Sequence, residues 1–194
     1  NTPIEYVEQK YDVNKRSRPW GTTDAICSII SSINEAFIML NGDDIYGVKT
    51  FEKGFEMMKK NNINIIGGQK IINNLPEEGK VNRGIIYIEN NKVVGLKEMI
   101  GISKIENPEL HNNFSNVNFI GLQINILKEL KIILDKFKKD NEGDKKIECL
   151  LPDNLNELIK EKNLNLEFFE IKNQVLGITN PGDELIVKKI LSNI

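Results

Sequence analysis

The chain has 194 residues, of which 40% are hydrophobic and 28% are charged, and its formal net charge is −2. This length and composition are those of an ordinary globular protein with one large domain or two small ones. The small net charge provides none of the basic surface that binds nucleic acid or an anionic membrane, so neither partner is expected.

The cysteines and the hydropathy of the sequence narrow the possible classes of protein further. The two cysteines, Cys27 and Cys149, lie in apolar stretches and form neither a metal-binding nor a redox spacing, which excludes the disulfide framework of small secreted domains. The sequence contains no apolar run long enough for a membrane span and no secretory signal. These features predict a cytoplasmic protein, and they leave the oligomeric state open, a homo-oligomer included.

Strand and helix patterns alternate along the chain. The first half predicts a strand at 4–7, a helix from 22 or 23 to 33, a strand at 36–41, a helix at 49–60 and a strand at 63–67. The second half predicts a hairpin of 85–88 and 93–96, a strand at 117–123, helices at 126–137 and 152–160, a strand at 166–171 and a last helix opening at Pro181. The lysine-rich stretch 136–146 is interpreted as a solvated loop. This alternation predicts an α/β protein, a three-layer α/β/α sandwich around a mostly parallel sheet.

The segment LNGDDIYG, residues 40–47, carries most of the functional argument. An apolar strand runs directly into Asn41-Gly42-Asp43-Asp44. Carboxylates at the carboxyl end of a strand lie in the crevice where open α/β sheets bind ligands. Mg²⁺ is bound by one or two carboxylates together with substrate phosphate oxygens. The alternative is an ordinary turn, since Asn, Gly and Asp favour turns for backbone reasons, and the segment alone does not decide between them.

Three further segments have both a chemical and a structural interpretation. In RPWGTTDA, Pro19 and Gly21 predict a tight turn before a helix whose free N–H groups favour anions; the alternative is that Thr22 or Thr23 caps that helix. In GKVNRG, Arg83 pairs either with a phosphate or with a surface carboxylate. The stretch 177–184 is interpreted as a plain helix start.

Together and in this order, these segments resemble the nucleotidyltransferase superfamily that activates sugar phosphates. The resemblance is closest to a bacterial group of sugar-nucleotidyltransferase-like proteins. The matching stretches are IEYVEQ, RPWGTTDAI, INEAFIMLNGDDIYG, GKVNRGI, VNFIGL, LLPDNLNELI and LGITNPGDE. The resemblance implies a nucleotide-diphospho-sugar transferase fold, with all 194 residues in one domain, and an Mg²⁺-dependent reaction of an NTP with a sugar-1-phosphate or a similar phosphate such as phosphocholine.

The resemblance also implies roles for individual residues. The metal is assigned to Asp43, catalysis to Asp43 and Arg83, nucleotide binding to Gln9, Gly21, Thr22 and Gly42, and sugar-phosphate binding to Glu98 and Asn118. A phosphate nucleophile, whose second pKa is about 6, is already largely ionised at neutral pH and needs no general base. The lone histidine, His111, is therefore not expected to be catalytic.

Two departures from the family pattern qualify this expectation. The stretch 174–177 has no carboxylate where relatives supply a second metal-binding aspartate. The sequence also contains no Gly-x-Gly-Thr-Arg loop, whose backbone amides cradle the triphosphate. We therefore expect a domain truncated at its N-terminus, without the first strand, loop and helix of the family. The alternative is a non-catalytic nucleotide-binding remnant or interaction domain of the same fold.

Overall fold

The computed structural model describes residues 3–76, 78–178 and 182–192. Its helices are α1 (Thr22–Cys27), α2 (Val48–Asn61), α3 (Ile124–Asp140), α4 (Leu151–Glu161) and α5 (Asp183–Leu191). Its strands are β1 (Phe37–Met39), β2 (Asp44–Ile45), β3 (Asn64–Lys70), β4 (Val81–Glu89), β5 (Lys92–Ile102), β6 (Phe114–Leu122), β7 (Leu166–Glu170) and β8 (Leu176–Gly177). Short 3₁₀ turns lie at Ile71–Asn74 and Pro108–Leu110.

The chain divides into two compact units. The first comprises Asn1–Phe37 and Leu122–Leu164, and the second comprises Ile38–Gly121 and Asn165–Ile194. In the first unit, α1 packs against α3 and α4 through buried apolar side chains such as Leu127 and Leu155. The second unit contains the strands, together with α2 and α5, apart from the first residue of β1 and the last of β6.

The main sheet is mixed. Its strand order is β1-β6-β3-β7-β5-β4, and β4 also pairs with β6, so the five strands from β6 to β4 close on themselves. The β3–β7 pair is parallel, whereas β3–β6, β4–β5, β4–β6 and β5–β7 are antiparallel. A separate two-stranded sheet joins β2 to β8 in antiparallel register.

The prediction of a mostly parallel sheet is therefore wrong, although the α/β class is confirmed, and the three-layer sandwich is not confirmed. Parallel neighbours need a long crossover, usually a helix. From β3 to β6 the described part of the chain has only 3₁₀ turns and one hairpin between its strands, so no α-helix there returns the chain to start a parallel neighbour. A helical crossover, α3 and α4, separates β6 from β7, and β7 is the strand that lies parallel to β3.

The hairpin of β4 and β5 is confirmed, and it is longer than the sequence predicted. Asn90 and Asn91 connect its strands with φ angles of 49° and 63°. A two-residue type I′ turn requires positive φ at both central residues, and Asn adopts such angles more readily than most side chains. The Asn-Asn pair therefore explains where the hairpin turns.

The other predicted elements are confirmed with shifted ends, except at the N-terminus. Residues 4–7 form no strand, because Ile4 and Tyr6 are 75% and 95% exposed and bury no apolar face. The first helix ends at Cys27 rather than at residue 33, and i→i−3 bonds take the chain through tighter turns there. The run Ser28-Ile29-Ile30 combines a serine that bonds back to the Asp24 carbonyl with β-branched residues of low helix propensity.

The stretch 136–146 is only partly a loop, because α3 continues to Asp140. Both cysteines are buried and free. The predicted helix start at Pro181 lies outside the described residues, in which α5 begins at Asp183. Within the described part of the chain, no helix is long and apolar enough to cross a membrane.

A buried apolar cluster supports the end of β1 in the second unit. It contains Tyr46, Met58, Ile65, Phe119, Phe169 and Ile171, with Ile38 and Leu40 packed against it. Tyr46 and Phe119 are in edge-on ring contact at 5.6 Å between centroids. The aspartate segment that follows β1 is thus built on a packed core.

Candidate functional site

A tight corner, Asn41–Tyr46, follows β1 and includes the short strand β2. The Asn41 side-chain amide donates a hydrogen bond to Asp44 Oδ2 at 2.8 Å, as short polar side chains commonly do in turns. The backbone N–H of Ile178 donates to the carbonyl of Asp43 at 2.9 Å, which extends the β2–β8 pairing by one residue. Hydrogen bonds therefore hold the corner between Asn41 and Asp44 and at the backbone carbonyl of Asp43.

The hydroxyl of Tyr46 connects this corner to β6. It donates a hydrogen bond to the Val117 carbonyl at 2.7 Å and accepts one from the backbone N–H of Asn41 at 3.2 Å. Asp44 Oδ2 lies 3.4 Å from the same hydroxyl oxygen. Burial raises the pKa of Tyr46 to about 12; the Asn41 N–H lowers it and the Asp44 carboxylate raises it further. The hydroxyl therefore keeps its proton at neutral pH.

A β-bulge in β6 supplies the acceptor for Tyr46. The β3–β6 register passes from Gly67↔Phe119 to Gly68↔Asn116, which leaves Val117 and Asn118 outside the regular ladder. Asn118 has a φ of 57°, a left-handed conformation that Asn tolerates better than most residues. Bulges frequently redirect side chains next to functional sites.

Side-chain amides continue from the bulge to the corner. The Asn116 amide donates to Asn118 Oδ1 at 3.1 Å, and the Asn118 amide donates to Asn41 Oδ1 at 3.2 Å. The Asn41 amide in turn donates to Asp44. We call Asn116, Asn118 and Asn41 the amide strip. It places the predicted sugar-binding residue Asn118 in contact with the predicted metal-binding corner.

Glu98 lies beside the other end of the amide strip. It stands opposite Gly84 in the β4–β5 register. A Cβ on Gly84 would lie 3.4 Å from both Asn116 Cβ and Glu98 Oε2, so Glu98 and Asn116 border the same space. Burial raises the pKa of Glu98 above its ordinary value, and the positive charge of Arg83 partly opposes that shift. The structure thus brings Glu98, Asn118 and the corner with Gly42 and Asp43 together in the second unit.

Arg83 is held by backbone carbonyls. Its Nε and Nη2 donate to the Asn74 carbonyl at 3.2 and 3.0 Å, and its Nη1 donates to the Asn82 carbonyl at 2.9 Å. Side chains alternate between the faces of a strand, so Arg83 and Gly84 start from opposite faces of β4. These contacts indicate that Arg83 stabilises the local backbone. Its catalytic role stays a prediction.

The predicted nucleotide-binding residues of the first unit also lie together. The Gln9 amide nitrogen donates to the Gly21 carbonyl at 3.1 Å and to Asp24 Oδ2 at 2.7 Å. Gln9 is therefore placed on the backbone of the turn that opens α1. Thr22 follows Gly21 directly and is the first residue of the helix.

A buried carboxylate, which was not among the predicted site residues, anchors this group. Asp24 is 5% exposed and accepts hydrogen bonds from Gln9 and from the ammonium group of Lys138. An acidic residue in the first turn of a helix is an ordinary feature, so no sequence pattern indicated that Asp24 is buried. Lys138 corrects the solvated-loop interpretation, because it pairs with a buried group.

The Pro-Trp-Gly-Thr motif also has a structural explanation within the first unit. Gly21 has a φ of 95°, and a Cβ there would lie 2.8 Å from the Cys149 carbonyl oxygen. Cys149 N donates to the Trp20 carbonyl at 2.7 Å, and Leu151 N donates to Thr22 Oγ1 at 2.9 Å. Thr22 therefore caps α4 rather than its own helix, and Gly21 permits the close backbone approach.

The predicted site residues fall into two sets. Gln9, Gly21 and Thr22 lie in the first unit, and Gly42, Asp43, Arg83, Glu98 and Asn118 lie in the second. Asn41, Tyr46 and Asn116 contact the residues of the second set but were not among the predicted site residues. The spacing of two between Asn116 and Asn118 was the available signal, since such residues share a face of a strand.

Comparison with solved structures identifies the fold. The apo form of a UDP-glucose pyrophosphorylase matches with a TM-score of 0.63 at 16% identity, covering 97% of this chain and 63% of that one. A CMP:2-keto-3-deoxy-manno-octonic acid synthetase complexed with CTP matches with a TM-score of 0.57 at 12% identity, covering 88% and 68%. A putative glucose-1-phosphate thymidylyltransferase from Bacillus anthracis, in complex with a sucrose, matches with a TM-score of 0.61 at 13% identity, covering 90% and 62%.

These matches confirm the resemblance inferred from the motifs at the level of the fold, which is that of the nucleotide-diphospho-sugar transferases. The chain spans about 63% of the length of the UDP-glucose pyrophosphorylase that it matches. No family model matches the sequence, and no curated protein sequence matches it significantly.

Replacing Gly21 by alanine should destabilise the protein. The new Cβ would meet backbone atoms of Cys149 at a φ that L-residues rarely adopt. We expect the free energy of unfolding to fall by about 1–3 kcal/mol, the usual cost of such strain. Urea denaturation measures this change. Gly143→Ala is the matched control, because no atom lies within 4 Å of its Cβ position, and equal losses in both variants would contradict the packing argument.

Replacing Glu98 by glutamine should change the pH dependence of stability. A carboxyl whose folded-state pKa is raised costs nothing below its unfolded pKa and destabilises the fold once pH exceeds the folded value. The unfolding free energy of Glu98→Gln relative to wild type should therefore rise between about pH 4 and about pH 7. Urea unfolding at both pH values measures it. Glu89→Gln, at the turn end of the same hairpin, is the control, and a Glu98→Gln difference independent of pH would contradict the assignment.

Proposed function

We propose that the protein carrying this chain is a nucleotidyltransferase that joins an NTP and a sugar-1-phosphate into a nucleotide sugar and pyrophosphate. In this reaction a phosphate oxygen of the sugar-1-phosphate attacks the α-phosphorus, and the bond between the α-phosphorus and the bridging oxygen breaks. The bridging oxygen and its electron pair leave with pyrophosphate, so no other reactant is needed.

One observation carries the proposal. The Asn41–Tyr46 corner and the amide strip lie in a fold shared with a UDP-glucose pyrophosphorylase and a CMP:2-keto-3-deoxy-manno-octonic acid synthetase. One similar structure is complexed with CTP, and another UDP-glucose pyrophosphorylase is complexed with UDP-glucose. Carboxylates, amides and a tight backbone corner supply groups that can hold a cation and sugar hydroxyls.

The corner fits Mg²⁺ held by a small number of protein ligands. Within the described residues, no three His, Cys, Asp or Glu side chains come close enough to form a metal cluster. Mg²⁺ does not require such a cluster, because it commonly keeps several waters and binds one or two carboxylates plus phosphate oxygens. Asp43 is proposed to hold the ion, as the resemblance of the motif to the family implies. A bound Mg²⁺ would neutralise charge on the phosphates.

The other proposed roles are divided between the predicted site residues of the first unit and those of the second unit. Gln9, Gly21 and Thr22 are proposed to contact the nucleotide base, and Gly42 the nucleotide near Asp43. Glu98 and Asn118 are proposed to bind the sugar phosphate, supported by their positions at the two ends of the Asn116–Asn118 contact. Arg83 is proposed as a cation for phosphate, for which its guanidinium has donors beyond the three that bond to carbonyls.

We also propose that the two compact units belong to one domain spanning residues 1–194. The chain passes between the units after Phe37, after Gly121 and after Leu164, so neither unit is a continuous segment. The match to the UDP-glucose pyrophosphorylase structure covers 97% of the chain, which includes residues of both units.

The second candidate is a non-catalytic domain of the same fold that binds a nucleotide or another protein. The contacts in the first unit favour it: Gln9 donates within the domain, and Gly21 and Thr22 are explained by packing against 149–151. Binding of NTP without pyrophosphate release by the full-length protein would select this candidate.

Replacing Asp43 by asparagine tests the catalytic proposal. In the full-length protein with Mg²⁺, we expect pyrophosphate release to fall by about two orders of magnitude or more, because a charged metal ligand is lost. The measurement is coupled detection of pyrophosphate over a panel of NTPs and sugar-1-phosphates. Thermal unfolding should be nearly unchanged.

Asp140→Asn is the control, because Asp140 is exposed at the end of α3. Unchanged release by Asp43→Asn would refute the metal assignment. Absence of release by the wild-type full-length protein with every substrate pair would refute the proposed reaction itself.

A further inference from the structure

Tyr46 is a buried residue, and neither the packing of the fold nor the proposed reaction explains its hydroxyl group. Its side chain is 2% exposed, and its ring packs edge-on against Phe51 and Phe119 at centroid distances of 6.3 and 5.6 Å. A phenylalanine would make the same ring contacts. The hydroxyl must therefore be explained separately.

The hydroxyl makes more contacts than a buried tyrosine needs. One partner satisfies a buried hydroxyl, and the Val117 carbonyl at 2.7 Å already provides it. The same oxygen also accepts from the Asn41 N–H and lies near Asp44 Oδ2, so it touches both ends of the Asn41–Asp44 turn. These two residues flank Gly42 and Asp43.

The acceptor on β6 is itself specially formed. Val117 and Asn118 constitute the bulge, and Asn118 is held in a left-handed conformation with a φ of 57°. Asn118 also donates from its side chain to Asn41 at 3.2 Å. Two independent hydrogen bonds thus join the same bulge to the same corner, one through Tyr46 and one through Asn118.

We propose that Tyr46 is a positioning residue whose hydroxyl, together with Asn118, holds the Asn41–Asp44 turn on the bulge of β6 and so orients Asp43. The role of Asp43 as metal ligand rests on the proposed function, whereas the positioning of the turn does not. Because Tyr46 reaches Asp43 only through the turn, it is not a catalytic residue.

The direct test is hydrogen exchange of the Asn41 amide in Tyr46→Phe. This change keeps the aromatic ring and removes the acceptor of the Asn41 N–H. We expect the exchange of that amide to accelerate by about fivefold or more, the factor that corresponds to one net hydrogen bond. The amides of β3 should change less. Tyr87→Phe is the matched control, because Tyr87 is 38% exposed on the β4–β5 hairpin and lies outside the corner.

The wild-type protein supplies a second measurement that does not depend on how the variant folds. We expect the Asn41 amide of the wild type to be protected from exchange well beyond the exposed amides of the Asn90-Asn91 turn. An Asn41 amide that exchanges as fast as that turn, or as fast in wild type as in Tyr46→Phe, would overturn the proposal.

A functional readout separates positioning from simple packing. With Mn²⁺ as the probe, we expect Tyr46→Phe to weaken binding of the metal in the presence of NTP by several-fold, while Tyr87→Phe leaves it unchanged. A Tyr46→Phe protein that loses amide protection but binds Mn²⁺ as tightly as wild type would overturn the orientation of Asp43. If the wild type shows amide protection but no metal binding, the proposed function fails and the positioning of the turn stands.

Discussion

The hydrogen bond from the Tyr46 hydroxyl to the Val117 carbonyl is the contact on which the candidate site depends. It joins a short turn to a strand of the closed sheet, and it lies at the edge of an apolar cluster that excludes water. A buried carbonyl that loses its partner costs free energy, so the bulge and the tyrosine stabilise each other. The bulge also carries Asn118, and the turn carries Asp43. A regular β6 would have kept the Val117 carbonyl in the ladder and removed its contact with Tyr46.

In the first unit, a buried charged group has the role that the Tyr46 hydroxyl has in the second unit. Asp24 is buried in the first turn of α1 and is paired with Lys138 and Gln9. An unpaired carboxylate at such a position would be strongly unfavourable, so Lys138 and Gln9 are constrained to stay near it. Arg16, 4% exposed, stacks on Trp20 with its guanidinium carbon 3.4 Å from the ring centroid. These contacts fix the Trp20-Gly21-Thr22 turn from several directions.

The sequence predicted the elements well and their pairing poorly, for a physical reason. Hydrophobic periodicity identified β3 to β7 and α2 to α4, because each buries one face or stripe. Strand direction depends instead on which strands pair, and apart from the Asn90-Asn91 hairpin turn the connections from β3 to β6 had no sequence signal for that pairing. Ile4 and Tyr6 alternate like a strand but remain exposed. The motifs located the corner, whereas the roles of Tyr46, Asn116 and Asp24 arise from the bulge and from burial, which one sequence does not display.

The charges of the second unit bear on how a phosphate could approach the corner. Asp43, Asp44 and Glu98 carry carboxyl groups, and the amide strip between them is neutral. Arg83 is oriented by the Asn74 and Asn82 carbonyls, which restricts how far its charge can reach. An anionic substrate near several carboxyl groups is repelled unless a cation intervenes. The amide strip adds no charge of either sign, so under the proposed function a cation at Asp43 would be what lets this surface accept a sugar phosphate.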